Sequence, residues 1–142
     1  MADRLAGKVA LVTGASRGIG RAISVALAGK AATVILTARS IPDLQRTAHE
    51  VAQAGGVAEV VVTELIKEES INNLVRFTSE KFGRLDILGN NAGVAHLARL
   101  EETSTQDWER CMWTNARAPF ILCREALPLL RRSPSGFIIN IA

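Results

Sequence analysis

Thr13-Gly14-Ala15-Ser16-Arg17-Gly18-Ile19-Gly20 follows the apolar run Val9-Ala10-Leu11-Val12, and a helical pattern begins near Gly18 with Ile19, Ile23, Ala26 and Leu27 at helical spacing. A short strand that breaks at glycines and resumes as a helix is the opening of a strand–helix–strand unit. The same rhythm continues downstream. Residues 33–37, Thr-Val-Ile-Leu-Thr, are rich in β-branched side chains and read as a second strand. Pro42-Asp43 opens a helix that Gly55-Gly56 closes, and residues 57–62 form a third strand. Ile71, Leu74, Val75 and Phe82 mark a third helix that stops at Gly83. Residues 85–88 are a fourth strand, followed at once by the breaker cluster Asn90-Asn91-Ala92-Gly93. After an exposed loop over 94–104, Thr105-Gln106-Asp107 offers caps for one long helix running through Arg132. The turn Ser133-Pro134-Ser135-Gly136 leads to a fifth strand, residues 137–141. Strands apolar on both faces, alternating with helices, specify an α/β protein with a doubly wound parallel sheet.

The composition fits one such domain. The 142 residues are 48% hydrophobic and 22% charged, an ordinary globular balance that argues against disorder. A net charge of +3 is too small to imply a nucleic-acid or membrane surface. No apolar run approaches the roughly 18 residues of a membrane span, and Met1-Ala2-Asp3-Arg4-Leu5 has no signal-peptide core. Cys111 and Cys123 are too few for a disulfide framework and lack the paired spacing of a zinc site, so no metal is expected. On one helix they would stand about 18 Å apart, out of reach of each other. A reducing, cytoplasmic setting follows as the default expectation. Tyrosine is absent, which excludes a phenolic acid or base supplied by these residues.

The glycine turn is suited to a dinucleotide. Glycines at a strand-to-helix turn permit a tight bend, let backbone approach a pyrophosphate and allow the helix to pack closely. The free N–H groups and positive dipole end of the helix then attract phosphate. The spacing is Gly-x3-Gly-x-Gly rather than G-x-G-x-x-G. A kinase-like phosphate loop is disfavoured, because Arg21-Ala22 stands where Lys-Ser/Thr would follow the last glycine. The end of the second strand selects between dinucleotides. An acidic residue there would bind the ribose 2′-hydroxyl of NAD, but the chain reads Thr37-Ala38-Arg39-Ser40. Arg39, with help from Arg17, offers a guanidinium fork for a 2′-phosphate, so NADP(H) is favoured over NAD(H).

Thr13-Gly14-x-x-x-Gly18-Ile19-Gly20, Asn90-Asn91-Ala92-Gly93 and Asn115, in register, resemble the short-chain dehydrogenase/reductases, most closely the 3-oxoacyl-carrier-protein reductase and tropinone reductase types. The similarity runs from about Lys8 to the last residue. It implies a Rossmann-type sheet, incomplete at about five strands in the order 3-2-1-4-5. By this resemblance Gly14, Ser16, Arg17, Gly18, Ile19 and Gly20 line the adenosine and pyrophosphate half of the cofactor. Glu64 and Leu65 would flank the adenine, although members commonly carry Asp or Asn at the first of these positions. Asn90, Asn91, Ala92 and Gly93 would pass close to the ribose, and Gly89 stands where a branched apolar residue is usual. Asn115 would be the catalytic asparagine that anchors a water linked to the catalytic lysine. Local chemistry agrees, since Pro119 has no N–H to return to the Asn115 carbonyl.

The chemistry the resemblance implies is hydride transfer between nicotinamide and a small-molecule carbonyl or alcohol, with Ser, Tyr and Lys as partners. The Ser should follow Ile141-Ala142 directly and the Tyr-x-x-x-Lys pair should come later. Residues 1–142 are therefore expected to be a dinucleotide-binding domain lacking the catalytic and substrate portion, with little or no reductase activity alone. A non-catalytic NADP(H)-binding module, or a partner-binding form that engages a relative, remains the alternative. A homo-oligomer through the helix over 106–132 is expected, with no nucleic acid or membrane partner.

The remaining candidates are weaker. His96 sits in the loop after Gly93, where cleft residues arise, but a lone loop histidine is more often solvated. His49 falls in a polar helix and reads as exposed. Glu68-Glu69 and Glu101-Glu102 read as helix-start and loop solvation, and no G-x-S-x-G elbow occurs. Arg131-Arg132 suits the negative end of the long helix. Trp108, Met112 and Phe120, at helical spacing, read as core or subunit contact. The fifth strand, with no further neighbour, is expected to leave an edge prone to pairing or aggregation.

Overall fold

A computed structural model describes residues 4–142. Five parallel strands lie in the order β3-β2-β1-β4-β5. They are β1 (Val9–Thr13), β2 (Thr33–Ala38), β3 (Val57–Val62), β4 (Ile87–Asn90) and β5 (Phe137–Asn140). The expected incomplete Rossmann-type sheet is the fold observed. β1 is buried along its whole length, and its side chains alternate between two apolar layers. Val9 and Leu11 join Ile71 and Leu74 of α3 (Glu68–Phe82) and Ile121 and Leu122 of α5 (Ala118–Arg131). Val12 points the other way, with Val34 and Leu36, against Ala28 of α1 (Gly18–Ala28) and Leu44 and Val51 of α2 (Ile41–Gln53). Full burial of each such Leu or Ile contributes about 2 kcal/mol, which is why alternation along one strand is enough to fix both helix layers.

The helix ends follow local chemistry. The Ser40 hydroxyl accepts from the Asp43 N–H and Pro42 occupies the first turn, so α2 starts where Pro-Asp predicts. Gly83 takes the left-handed conformation (φ +67°) that ends α3.

Four expectations are corrected. The fourth strand is Ile87–Asn90 rather than 85–88, because Leu85 is buried ahead of the pairing and Asn90 itself pairs with Asn140. Gly89 lies within it. A Cβ there would make ordinary contacts with the Leu11 carbonyl at 3.6 Å and with Val12 at 3.7 and 3.9 Å, so no close approach demands glycine. The long helix over 106–132 is three segments: α4 (Thr105–Met112), a π turn (Trp113–Arg117) and α5. Pro119 cannot donate to the Asn115 carbonyl, and the chain widens instead, with the Ala118 N–H reaching back to the Trp113 carbonyl. The cap of α4 is Ser104, whose hydroxyl accepts from the Asp107 N–H, rather than Thr105. Finally, Trp108 (58% exposed) and Phe120 (61%) are not core, and Cys111 and Cys123 sit on separate helices.

Candidate functional site

All parallel strands end on one side of the sheet, and the polar segments of the chain gather there. The turn between β1 and α1 is braced from behind. Arg21 Nη2 donates to the Ser16 carbonyl at 2.6 Å, and the Thr47 hydroxyl, from α2, donates to the Ala15 carbonyl at 2.8 Å. Arg21 Nε reaches the same Thr47 oxygen (3.1 Å), and Nη1 pairs with Glu50 at 3.3 Å. These contacts engage the Ala15 and Ser16 carbonyls, and the Ala15 N–H is itself bonded to the Thr37 carbonyl at 3.2 Å. Arg17, at the N-cap of α1, supplies no side-chain cap, so the first helical N–H groups are left for an incoming acceptor.

The front of the turn is set by the segment after β4. Thr13 Oγ1 accepts from the Asn91 and Ala92 N–H groups, both at 3.0 Å. Asn91 Nδ2 donates to the Thr13 and Gly14 carbonyls, at 3.2 and 3.3 Å. The approach is so close that two glycines are obligatory. A Cβ on Gly20 would lie 2.1 Å from the Gly14 carbonyl oxygen, and Gly14 itself has φ +63°. Gly18 differs. It too has a left-handed backbone (φ +55°), but a Cβ there would meet nothing within 4 Å, so the space beyond it is open. Gly14, Ser16, Arg17, Gly18, Ile19 and Gly20 thus lie together in this strand-to-helix turn, with the Ile19 side chain exposed.

Around this surface stand the other expected residues. Arg39 lies just beyond β2 and Arg17 in the turn; both are exposed, and neither makes an ion pair among the described residues. Beyond β3, Glu64 is exposed and pairs with Lys67 at 2.9 Å, whereas Leu65 packs against the α3–α5 core layer. Asn90 ends β4, its Nδ2 donating to Asn140 Oδ1 at 2.9 Å across the sheet. Asn115, in the π turn, makes a two-point contact with the loop after Gly93. Its Oδ1 accepts from the Val94 N–H and its Nδ2 donates to the Val94 carbonyl, both at 2.8 Å. The amide therefore acts as a strand partner for one residue and ties the π turn to the cleft floor. Asn90, Gly93, Val94, Asn115, Phe120 and Cys123 are among the residues lining a cleft of about 740 Å³.

Several of these contacts lie outside the sequence reading. Arg21 appeared there only as an argument against a phosphate loop, and Thr47 not at all. Their signal is a long polar side chain one turn into α1 and a threonine on the buried face of α2, at helical spacing from Leu44 and Val51. Glu68 is not merely solvated. It holds Arg117 and Arg124, each at 2.8 Å, and so joins α3 to the π turn. His96 leans on the start of α4, with Nε2 3.7 Å from Asp107. Arg132 donates to the Gly83 carbonyl at 3.0 Å and so caps α3 rather than only its own helix. Among the described residues no cluster of three or more His, Cys, Asp or Glu is placed to hold a metal, and no helix is long and apolar enough to cross a membrane.

A family model described as short chain dehydrogenase matches residues 8–142. Among curated relatives, an oxidoreductase of Thermotoga maritima is 35% identical over 136 residues, 96% of this chain and 53% of that protein. The 2,5-dichloro-2,5-cyclohexadiene-1,4-diol dehydrogenase LinX of Sphingobium indicum is 36% identical over 142 residues, 100% of this chain and 57% of its own. A metagenomic short-chain oxidoreductase solved in complex with NADP superposes with a TM-score of 0.93 at 38% identity, covering 97% of this chain and 63% of that one. A dehydrogenase/reductase from Sinorhizobium meliloti 1021 gives 0.93 at 43% identity, over 99% and 56%. The chain spans about half the length of the curated relatives it matches.

Proposed function

The chain belongs to the short-chain dehydrogenase family, and from that premise we propose that its crevice binds NADP(H) in preference to NAD(H) and serves an oxidoreductase that interconverts a small-molecule carbonyl and alcohol. The observation that carries this reading is the β1–α1 turn, whose carbonyls are engaged behind while the space beyond Gly18 stays open. A cofactor pyrophosphate fits such a surface, since backbone N–H groups and a helix N-terminus favour phosphate oxygen. Gly14, Ser16, Arg17, Gly18, Ile19 and Gly20 would hold it. Arg39 and Arg17 would take the 2′-phosphate, both guanidiniums lacking any competing carboxylate among the described residues. Glu64 and Leu65 would border the adenine, and Asn90, Asn91, Ala92 and Gly93 the ribose. Once bound, the dinucleotide would supply a hydride to a carbonyl or accept one from an alcohol.

Asn115 enters through its backbone. Its side chain is committed to Val94, and Pro119 has no N–H to give its carbonyl, which is left to hold a water in a proton path. The two free thiols, Cys111 and Cys123, suit a reducing, cytoplasmic compartment. A homo-oligomer through residues 106–132 is supported by the exposed Trp108, Met112, Trp113 and Phe120 on that stretch.

Two measurements test this. Arg39→Asp should weaken NADPH binding about tenfold or more, the loss of one charged hydrogen-bonding partner, while NADH changes little. Equal losses for both would remove Arg39 from the 2′-phosphate. A polypeptide of these 142 residues, given NADPH and a ketone, should bind the cofactor with no turnover, because it holds no tyrosine to pass the proton. Turnover without a partner protein would overturn that account of the proton donor.

A further inference from the structure

Two separate segments would have to meet at a 2′-phosphate, and the contacts behind the glycine turn join them. Arg17 belongs to the β1–α1 turn and Arg39 to the bend between β2 and α2. Ala15 ties the first segment to the second at both of its polar groups. Its N–H donates to the Thr37 carbonyl of β2 at 3.2 Å, and its carbonyl accepts from the Thr47 hydroxyl of α2 at 2.8 Å. Thr47 is fully buried, and its oxygen also accepts from Arg21 Nε at 3.1 Å. The same guanidinium donates to the Ser16 carbonyl, in the peptide that leads into Arg17, and to Glu50, about one turn beyond Thr47. Thr47 itself stands two turns into α2, whose cap, Ser40, directly follows Arg39. One hydroxyl thus touches the turn that carries Arg17, the side chain that holds its peptide, and the helix that begins beside Arg39.

The glycine end of the turn has its own support. Asn91 Nδ2 donates to the Thr13 and Gly14 carbonyls, so the backbone that would meet the pyrophosphate is held from the β4 side without Thr47. Arg17 and Arg39 are exposed and make no ion pair among the described residues, so their placement comes from the backbone beneath them. A phosphate gripped by two guanidiniums gains most when both are already in place, because ordering either one consumes binding energy. NADH, with a hydroxyl at that position, asks nothing of their register.

We infer that Thr47, clamped with Arg21 and Glu50, is a positioning residue for cofactor choice: it keeps Arg17 and Arg39 in register and so sets the preference for NADPH over NADH. The inference rests on the 2′-phosphate reading of the two arginines. Dissociation constants for NADPH and NADH, read by nicotinamide fluorescence on the chain and its variants, test it, with thermal melts alongside. Thr47→Val keeps the side-chain shape and removes the hydroxyl. It should weaken NADPH about tenfold and NADH by less than about twofold. Thr47→Ser, which returns the hydroxyl, should recover most of the preference. In an Arg39→Ala background, Thr47→Val should move the NADPH:NADH ratio much less, since the two residues act through one contact. A purely structural threonine would lower the melting temperature and both affinities together, leaving the ratio where it was. Equal losses for the two cofactors in Thr47→Val therefore overturn the inference. Should the valine variant not fold, Glu50→Ala, at a half-exposed position, decides instead. It should lower the ratio about threefold through a loosened Arg21, and an unchanged ratio overturns the inference. The wild-type chain and Arg39→Ala separate the two claims. A preference that Arg39→Ala abolishes and Thr47→Val spares defeats only the clamp. A wild-type chain that binds both cofactors alike, or a ratio that Arg39→Ala leaves unchanged, defeats the 2′-phosphate reading and the clamp with it.

Discussion

Gly20→Ala is expected to destabilise the chain by about 3 kcal/mol, at the upper end of the cost of overpacking a tight site, and to lower NADPH affinity about a hundredfold. The added Cβ would fall 2.1 Å from the Gly14 carbonyl oxygen, 2.5 Å from Asn91 Nδ2 and 2.7 Å from the Gly14 carbonyl carbon. Two of these atoms are backbone, and the third, Asn91 Nδ2, is held by the Thr13 and Gly14 carbonyls. The Gly14 carbonyl lies just after β1 and already receives the Asn91 amide, while Asn91 is itself held by Thr13. Relief therefore requires α1 to move away from the sheet, which displaces the turn on which phosphate would sit. Gly18→Ala is the matched control. It has a positive φ (+55°), which Gly20 lacks, but open space around its Cβ, so it should cost only about 1–2 kcal/mol of backbone strain. Urea unfolding and an NADPH titration on both variants read the difference. Wild-type affinity in a folded Gly20→Ala protein would show that the turn is not the phosphate surface.

The sheet order was legible because its determinants are local. Apolar runs of four to six residues, separated by helical periods and punctuated by Gly14, Gly55-Gly56 and Gly83, leave a parallel sheet as the consistent arrangement. The glycine turn was legible for the same reason. What stayed hidden is what distant segments do to one another. Nothing near Thr47 announces that its hydroxyl, 32 positions away, will hold the Ala15 carbonyl. Nothing near Asn115 says that its amide will clasp Val94 rather than simply mark a kink. The π turn shows the limit most clearly. Pro119 predicts a missing hydrogen bond, but whether the helix bends or widens depends on the packing around it. There Arg117 lies over Trp113 with its guanidinium on Glu68. For Trp108, Met112 and Phe120 the core and subunit-contact readings stayed open together, because helical spacing identifies a face without saying what covers it; their exposure excludes the core.

The largest effect away from the crevice is expected at Asp86, a carboxylate 1% exposed at the opposite ends of the strands. It accepts from the Val9 N–H at 2.9 Å and from Arg84 and Ser133, with Lys8 Nζ at 3.4 Å. Burial is the strongest influence on its ionisation and acts upward. The hydrogen bonds from Arg84, Ser133 and Val9, with the Arg84 charge, together outweigh it and hold the pKa at about 2 against an ordinary 3.8. Asp86→Asn removes the charge and turns two donors toward groups that are themselves donors, so about 3 kcal/mol of stability should be lost near neutral pH. The pH dependence has a definite sign. A carboxylate whose folded pKa is depressed contributes stability that is complete above its unfolded pKa and disappears as pH falls through the folded one. Between about pH 4 and pH 2 the wild-type chain should therefore lose about 2 kcal/mol through this group, a shift of nearly two units at about 1.4 kcal/mol each. The Asn variant, with nothing to protonate there, should lose correspondingly less over the same interval. Denaturant midpoints at pH 7, 4 and 2 decide it. Parallel losses in the two proteins below pH 4 would mean that the acid-sensitive carboxylate lies elsewhere and that the Arg84–Asp86–Ser133 cluster is held by its hydrogen bonds rather than its charge.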